Sequence, residues 1–335
     1  MNRLIPLGLL LSLLGSVVTP AQQTTYLNIV TFNMLAPAFA RPASYPEGSG
    51  PLLDTAVRSA ALRHTVASLA SNAFQDGRFL QADVIALQEV QPATLAALFL
   101  AGGLVDTEWF LFNVAHREDY WSSDYVTDPD EIAEAPWTAN HFGHGNALLI
   151  RRSSFDTPPG FPFTATVNTN SGNRAPVFVG SLGGRPVRIS SVHFDGDAAG
   201  GRRAELISHF EQLPPLAGAV DIVAGDFGAD TGHGNLQGEV RRAGFVDGVS
   251  AVGEADSTLP YSTGHYSSHN RVIVDHVLAR GATPLEGRIH NFGLFQRFPA
   301  KATGGQRDDI EDARVQAALA EIGADHFPVV VRVAF

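Results

Sequence analysis

The 335-residue chain contains no cysteine. Disulfide bonds, thiol catalysis and cysteine-ligated zinc are therefore excluded. Positive charge is also scarce, since 23 Lys and Arg residues stand against 34 Asp and Glu residues and give a formal net charge of −11. We do not expect a broad basic surface that captures polyanions by charge alone. Acidic residues gathered in one site remain compatible with a phosphate substrate, because a cation can neutralise them.

The only long apolar run of the sequence lies at its N-terminus. Arg3 is followed by an apolar stretch from Leu4 to Val18 and then by small residues around Ala21. This stretch is shorter than the ~20 residues that span a bilayer, and a proline and a glycine interrupt it. The pattern is typical of a cleaved signal peptide. We predict a signal peptide over residues 1–21, one domain over residues 22–335 without a transmembrane segment, and a secreted or periplasmic protein.

Elsewhere the sequence alternates short β-branched runs with a few amphipathic segments. Leu62, Val66 and Leu69 recur with helical spacing. Gly183-Gly184 lies between two β-branched runs and favours a tight hairpin turn. This mixed order favours two packed sheets covered by helices over an alternating parallel fold. The pattern predicts helices over residues 56–74, 92–100 and 201–213, strands over residues 27–30, 83–87, 109–114, 146–151, 220–224, 244–249, 271–279 and 327–335, a hairpin over residues 176–194, and loops over residues 41–51 and 116–145.

Polar residues stand at the ends of five predicted strands. A carboxylate directly after a buried strand is costly without a partner, and Glu89 is in that position. The strand ends carry, in chain order, Asn33, Glu89, His193, Asp226 and the pair Asp325-His326. We expect these side chains to form one polar cluster at the rim of a sheet.

This cluster combines hard oxygen donors with two imidazoles. Carboxylate and amide oxygens are the ligands that Mg²⁺, Mn²⁺ and Ca²⁺ prefer. Neighbouring carboxylates repel one another unless a cation or a shared proton compensates them, so we expect a bound divalent cation. Metal, imidazole and carboxylate together suit phosphoester cleavage, in which charge on the phosphoryl oxygens is stabilised and a base activates water.

An ordered set of motifs between Tyr26 and Phe335 resembles the endonuclease/exonuclease/phosphatase superfamily. The resemblance implies an α+β fold, a four-layered α/β/β/α sandwich of two packed mixed β-sheets flanked by helices. The motifs are Thr31-Phe32-Asn33, Leu87-Gln88-Glu89-Val90, Gly145-Asn146-Ala147, Val192-His193, Gly225-Asp226-Phe227, Ile273-Val274-Asp275 and Asp325-His326-Phe327-Pro328-Val329.

The resemblance also assigns a metal site. Glu89 would be the main ligand of Mg²⁺ (or Mn²⁺ or Ca²⁺), with Asn33 and Asp325 nearby. These three residues supply only oxygen donors.

Catalytic roles follow from the same resemblance. Asp226 would position or deprotonate the attacking water. His326, oriented by Asp275, would contact the scissile phosphate. His193 would be the second imidazole and the acid for the leaving group.

The sequence departs from the family pattern at Gly228, where the family usually has an asparagine. The missing amide would normally donate to the phosphate. Asn146, which opens a strand in a family motif, is the predicted substrate-binding residue and a candidate to replace that amide, as are His265 and His269. Ala324, where serine is frequent, is a smaller departure.

We interpret the chain as an exported, divalent-metal-dependent phosphodiesterase that acts on DNA or RNA. It is expected to be a monomer without a stable protein partner. One alternative is a sphingomyelinase-like phospholipid phosphodiesterase, for which Trp121, Tyr125 and Trp137 are candidate membrane contacts. Another is a catalytically weakened binding protein on the same fold, which Gly228 alone favours.

Two histidine pairs have the spacing of zinc ligands on a helix. They are His141 with His144 and His265 with His269. Both pairs lie in Gly- or Ser-rich sequence without helical character. We therefore interpret them as loop residues that line a substrate cleft.

Overall fold

The computed structural model describes residues 25–36, 39–40, 50–71, 81–100, 103–116, 144–156, 163–168, 171–194, 199–229, 234–252, 273–289 and 319–335. The predicted signal peptide and most of the loop predicted over residues 116–145 lie outside this part of the chain. None of the helices described is long and apolar enough to cross a membrane.

Twelve strands form two six-stranded sheets within these residues. The strands are β1 (Tyr26–Asn33), β2 (Val84–Val90), β3 (Trp109–Ala115), β4 (Gly145–Arg151), β5 (Phe163–Val167), β6 (Arg174–Leu182), β7 (Arg185–His193), β8 (Val220–Asp226), β9 (Val246–Asp247), β10 (Asp275–Arg280), β11 (Thr283–Ile289) and β12 (Val329–Ala334). The first sheet has the order β11-β12-β1-β2-β4-β3, and the second has the order β5-β6-β7-β8-β10-β9.

Six α-helices are described alongside the sheets. They are α1 (Gly50–Leu53), α2 (Thr55–Ser71), α3 (Pro92–Leu100), α4 (Ala199–Gln212), α5 (Gly234–Arg242) and α6 (Gly248–Val252). Local chemistry sets several of their ends. The side chain of Asp54 accepts the backbone N–H groups of Ala56 and Val57 at 2.9 Å each and so caps the start of α2. Pro92 opens α3, and Pro214 follows the end of α4.

Each sheet has one parallel pair at its centre. β1 runs parallel to β2, and β7 runs parallel to β8, while all other neighbouring strands are antiparallel. A parallel pair needs a crossover connection, and α2 and α4 lie in the two crossovers. The carboxyl ends of the paired strands therefore meet at one edge, where Asn33 is opposite Gln88 and His193 is opposite Asp226.

The two sheets pack face to face and carry helices on their outer sides. Between them, the rings of Phe112 and Phe178 lie 5.9 Å apart. Buried residues of α2 join the core of the first sheet, and those of α4 and α5 form a second cluster with the second sheet. The predicted four-layered sandwich is therefore confirmed.

The last described strand pairs with the first. β12 pairs with β1, and beyond this ladder Thr25 and Phe335 exchange backbone hydrogen bonds of 3.3 and 3.1 Å.

Most elements lie where the pattern predicts them, including the hairpin at Gly183-Gly184. Both of these glycines have positive φ, 56° and 74°, which suits a tight type I′ turn. The strand predicted over residues 244–249 is confirmed only at Val246–Asp247, because α6 begins at Gly248. The Asp247 side chain accepts the Val249 N–H at 3.1 Å and the Ser250 hydroxyl at 2.8 Å, and this cap begins the helix early.

Candidate active site

One edge of the sandwich gathers the polar strand ends. Asn33 ends β1, Glu89 lies in β2, His193 ends β7 and Asp226 ends β8. The antiparallel strand β10 begins at Asp275, directly opposite Asp226. The pair Asp325-His326 immediately precedes β12 and reaches the same edge. Seven of the eight predicted site residues are thus joined through short contacts, and Asn146 is the exception.

Glu89 is aimed by an irregularity in its own strand. The register of β2 against β4 shifts between Leu87 and Val90, and Glu89 has φ 55°, in the left-handed region. Left-handed backbone costs a non-glycine residue about 1–2 kcal/mol, so the surrounding structure holds the conformation. The carboxylate accepts the backbone N–H of Ala36 at 2.8 Å, which orients it toward the site.

Asn33 links the carboxylates of the two sheets. Its amide Nδ2 donates to Glu89 Oε1 at 2.9 Å and to Asp226 Oδ2 at 3.0 Å. Its Oδ1 accepts the backbone N–H of Leu35 at 3.0 Å. In this arrangement Asn33 acts as a bridge between acids, which is a task the sequence did not indicate. Its predicted role as a metal ligand stays a prediction.

Asp226 lies at the centre of the site. Its Oδ2 is 3.8 Å from His193 Nε2 and 3.7 Å from His326 Nε2, and its Oδ1 accepts the Gly228 N–H at 2.7 Å. Burial alone would raise the pKa of this carboxyl. The charges of His326 and His193 and the hydrogen bonds from Gly228 and Asn33 outweigh burial and hold the pKa below its usual value. Asp226 is therefore ionised at neutral pH.

His326 is held by a buried carboxylate. Its Nδ1 donates to Asp275 Oδ2 at 2.8 Å, and its Nε2 lies 4.0 Å from Asp325 Oδ1. Burial alone would lower the pKa of the imidazole. Asp275, Asp226 and Asp325 together raise it well above the usual value. The ring is therefore an imidazolium that presents Nε2–H to the site.

The charge of the site fits a divalent cation. Glu89, Asp226, Asp275 and Asp325 bring four carboxylates together, and three of them are at most 5% exposed. A single imidazolium does not balance four acids, whereas an additional cation would. Asp226, Asp275 and His326 each bring one side-chain oxygen or nitrogen within 4.8 Å of the others, so the charged groups are closely crowded. The donors are mainly oxygens, which is the set that Mg²⁺ prefers.

Asn146 lies in β4 at this edge, and its amide contacts the second sheet. Nδ2 donates to the backbone carbonyl of Arg174 at 2.8 Å, which ties β4 to β6. Gly228 has φ 59° and contributes only its N–H to the site. The predicted role of Asn146 in binding substrate stays a prediction. His265 and His269 lie outside the described residues.

Two histidines beside the site are not among the site residues predicted from the sequence. His116 follows β3, and His144 immediately precedes β4, so both are strand-end residues. Their rings lie 5.1 and 5.6 Å from the ring of His193. His144 lies outside the strands, as predicted, and is 4% exposed, and its role in lining a cleft stays a prediction. Applying the strand-end criterion to β3 as well would have identified His116.

Comparison with known proteins places the chain in a family. The model of the Endonuclease/Exonuclease/phosphatase family matches residues 30–292, which is most of the chain. No curated protein sequence matches the chain significantly.

Solved structures share the fold at low sequence identity. The human nocturnin catalytic domain, solved with a sulfate anion, is 14% identical, with 93% of this chain and 97% of that chain covered and a TM-score of 0.56. D. rerio TDP2 in complex with a single-strand DNA product is 15% identical, with coverage of 92% and 98% and a TM-score of 0.51. ANGEL2, described as a 2′,3′-cyclic phosphatase, is 12% identical, with coverage of 93% and 96% and a TM-score of 0.59. The fold and the family match agree, and the chain belongs to the endonuclease/exonuclease/phosphatase family of metal-dependent phosphoesterases.

Proposed function

We propose that the protein is an exported, divalent-metal-dependent phosphodiesterase that hydrolyses DNA or RNA. The observation that carries this proposal is the convergence of two imidazoles on one carboxylate oxygen. His193 Nε2 and His326 Nε2 lie 3.8 and 3.7 Å from Asp226 Oδ2. A phosphodiester seated there would meet a base and two nitrogen donors.

Asp226 supplies the base. Its lowered pKa keeps it ionised, so it can accept a hydrogen bond from the attacking water and take its proton. The Gly228 N–H on Oδ1 and the Asn33 amide on Oδ2 fix the carboxylate in place. Water is thus oriented before the phosphorus centre is attacked.

His326 stabilises the charge that develops on the phosphoryl oxygens. Asp275 holds Nδ1–H and keeps the ring positively charged, so Nε2–H can donate to a non-bridging oxygen. His193 Nε2, 3.8 Å from both Glu89 and Asp226, is placed to protonate the leaving oxygen. A divalent cation held by Glu89 and Asp325 would supply Lewis-acid stabilisation of the same charge.

Nucleic acid is the proposed substrate because the structural neighbours include a protein solved with a single-strand DNA product. The net charge of −11 means that such a substrate would be held by the site and its cation rather than by a basic surface. Export is proposed from the N-terminal pattern alone, with release from the cell or retention in a periplasm as the expected location. N-terminal sequencing of the exported protein should begin at Gln22, and an uncleaved Met1 would contradict it.

A substrate panel tests the function. The purified protein is incubated with plasmid DNA, single-stranded DNA, RNA, sphingomyelin and a generic phosphodiester, each with Mg²⁺ and with a chelator. Cleavage of nucleic acid that stops in chelator supports the proposal. Selective hydrolysis of sphingomyelin would move the substrate to phospholipids. No hydrolysis with Mg²⁺, Mn²⁺ or Ca²⁺ would favour the binding-protein alternative.

A further inference from the structure

Three buried or half-buried histidines form a second cluster beside the acidic site. His116 and His144 are 5% and 4% exposed, and the side chain of His193 is 15% exposed. The ring centroids of His116 and His144 are 4.9 Å apart, and those of His116 and His193 are 5.1 Å apart. One nitrogen from each ring lies within 4.8 Å of one nitrogen from each of the others.

The backbone fixes two of these rings relative to each other. The N–H of His116 donates to the carbonyl of His144 at 2.9 Å, next to the paired residues Ala115 and Gly145. The carbonyl of His116 accepts the N–H of Arg174 at 2.8 Å, which anchors it to the second sheet. Ligands held on strand ends lose little freedom when a metal binds.

His193 has one ring nitrogen that faces the acidic site and one that does not. Its Nε2 faces Glu89 and Asp226 at 3.8 Å. Its Nδ1 is buried and has no hydrogen-bond partner among the described residues. A buried polar atom in this state needs a ligand or a donor to offset its desolvation.

We propose that His116, His144 and His193 bind Zn²⁺ or a transition-metal ion of similar ligand preference. Three neutral imidazoles suit Zn²⁺, Ni²⁺ or Cu²⁺, whereas the neighbouring carboxylates suit Mg²⁺. Zn–N distances of about 2.0–2.1 Å place ligand nitrogens roughly 3.3 Å apart, so small side-chain rotations within the observed 4.8 Å close the site. Three ligands leave a fourth position for water or a phosphoryl oxygen.

Groups around the three histidines would also orient the ligands of a bound metal ion. The ring of Phe39 stands edge-on to His144 at 5.3 Å and supplies an apolar wall. Metal on Nδ1 of His193 fixes the proton on Nε2, which is the atom that faces Glu89 and Asp226. This is the metal–histidine–carboxylate arrangement that orients ligands in known metal sites. His193 and Glu89 would then lie between the cation of the acidic site and the ion of the histidine cluster.

Zinc binding to the chelator-treated protein tests the inference without reference to catalysis. Competition with a chromophoric zinc indicator should give one tightly bound Zn²⁺ per chain. His116→Ala and His144→Ala should each weaken the affinity at least ~10-fold. His64→Ala, at an exposed position on α2, is the matched control and should leave it unchanged. Glu89→Gln should keep zinc binding while it weakens Mg²⁺ binding, which separates this site from the acidic one.

Three outcomes would overturn the proposal: no zinc retained, equal affinity in the His116 and His144 variants and the parent, or zinc loss in Glu89→Gln alone. Should either histidine variant fail to fold by circular dichroism, Co²⁺ on the unaltered protein decides. An intense tetrahedral visible spectrum with nitrogen ligands supports the site. A weak six-coordinate oxygen spectrum refutes it.

Discussion

Glu89 occupies a backbone position that glycine would adopt more readily, and both of its carboxylate oxygens accept hydrogen bonds. Glu89→Gln keeps the shape and removes the charge. We expect Mg²⁺ affinity to fall at least ~10-fold and turnover to fall with it, because a metal ligand is at least as sensitive as its supporting shell. Mg²⁺ titrations of activity and calorimetric binding measure the two effects.

Glu286→Gln is the matched control for this change. Glu286 lies in β11, where it pairs with Arg288 and Arg332 and is half-buried like Glu89. Its replacement should leave Mg²⁺ affinity unchanged. Normal activity of Glu89→Gln in the presence of a chelator would remove the metal mechanism.

Asp275 is expected to act through His326. Asp275→Asn withdraws the negative charge that raises the pKa of the imidazole, so the ring should lose its proton at lower pH. The alkaline limb of the pH–rate profile should therefore shift toward acid. His326→Ala should cost ~10² or more in rate.

The exposed Asp156→Asn, which alters a surface hydrogen bond to Gly184, serves as the comparison for Asp275→Asn. Its pH–rate profile should match that of the parent. An unmoved profile in Asp275→Asn would mean that Asp275 only supports the fold.

At the scale of elements, the close pairing of β7 with β8 sets the geometry of the site. An ideal Cβ on Gly225 would lie 1.9 Å from the backbone oxygen of Val192. Gly225→Ala should push these strands apart and displace His193 and Asp226. We expect the free energy of unfolding to fall by ~2 kcal/mol or more, together with activity.

Gly238 on α5 provides the opposite case. A Cβ there meets open space, so Gly238→Ala should raise the free energy of unfolding by about 0.5–1 kcal/mol. Urea denaturation measures both variants. A Gly225→Ala protein as stable as the parent would show that β7 can move away at no cost.

Elements with a strong local signal could be predicted from the sequence, and those defined by tertiary contacts could not. The β-branched run of β12 predicted a strand, and the helical spacing of apolar residues in α2 predicted a helix. β5 and β11 were missed because neither has a continuous run of buried apolar residues. The position of the acidic residues at strand ends also predicted that they lie together at one edge of a sheet.

The finer geometry of the site depends on features that no local pattern carries. The bulge at Glu89 and the Asn33 bridge require β4 and Asp226, which lie far along the chain. The approach of His144 to His193 depends on the pairing of β4 with β3. Long-range contacts of this kind are set by the assembled sandwich.

At the scale of the whole molecule, His209 couples folding to pH. It is 2% exposed, lies between the hydroxyls of Thr166 at 2.8 Å and Ser190 at 3.0 Å, and burial lowers its pKa to about 4. The unfolded chain binds a proton near pH 6.5 and the folded protein does not. Stability is therefore full above that pH and declines as the pH falls toward 4, by about 3 kcal/mol.

Denaturant unfolding at several pH values between 4 and 7.5 measures this decline. His209→Gln should flatten the part of the slope that belongs to this histidine, whatever its own stability. The exposed His64→Gln should keep the slope of the parent. Equal slopes in all three proteins would contradict the assignment.

The pairing of Thr25 with Phe335 has a consequence for the connectivity of the molecule. The antiparallel pair β11–β12 flanks β1 as β5–β6 flanks β7, and β4–β3 flanks β2 as β10–β9 flanks β8. The two sheets therefore follow the same course, and the hydrogen bonds between Thr25 and Phe335 join β12 to β1 where the Gly183-Gly184 turn joins β6 to β7. A circular permutant joined between Phe335 and Thr25 and opened at Gly183-Gly184 would trace the same strands. One half would still deliver Asn33 and Glu89, and the other His193 and Asp226, so the order of the halves along the chain is interchangeable.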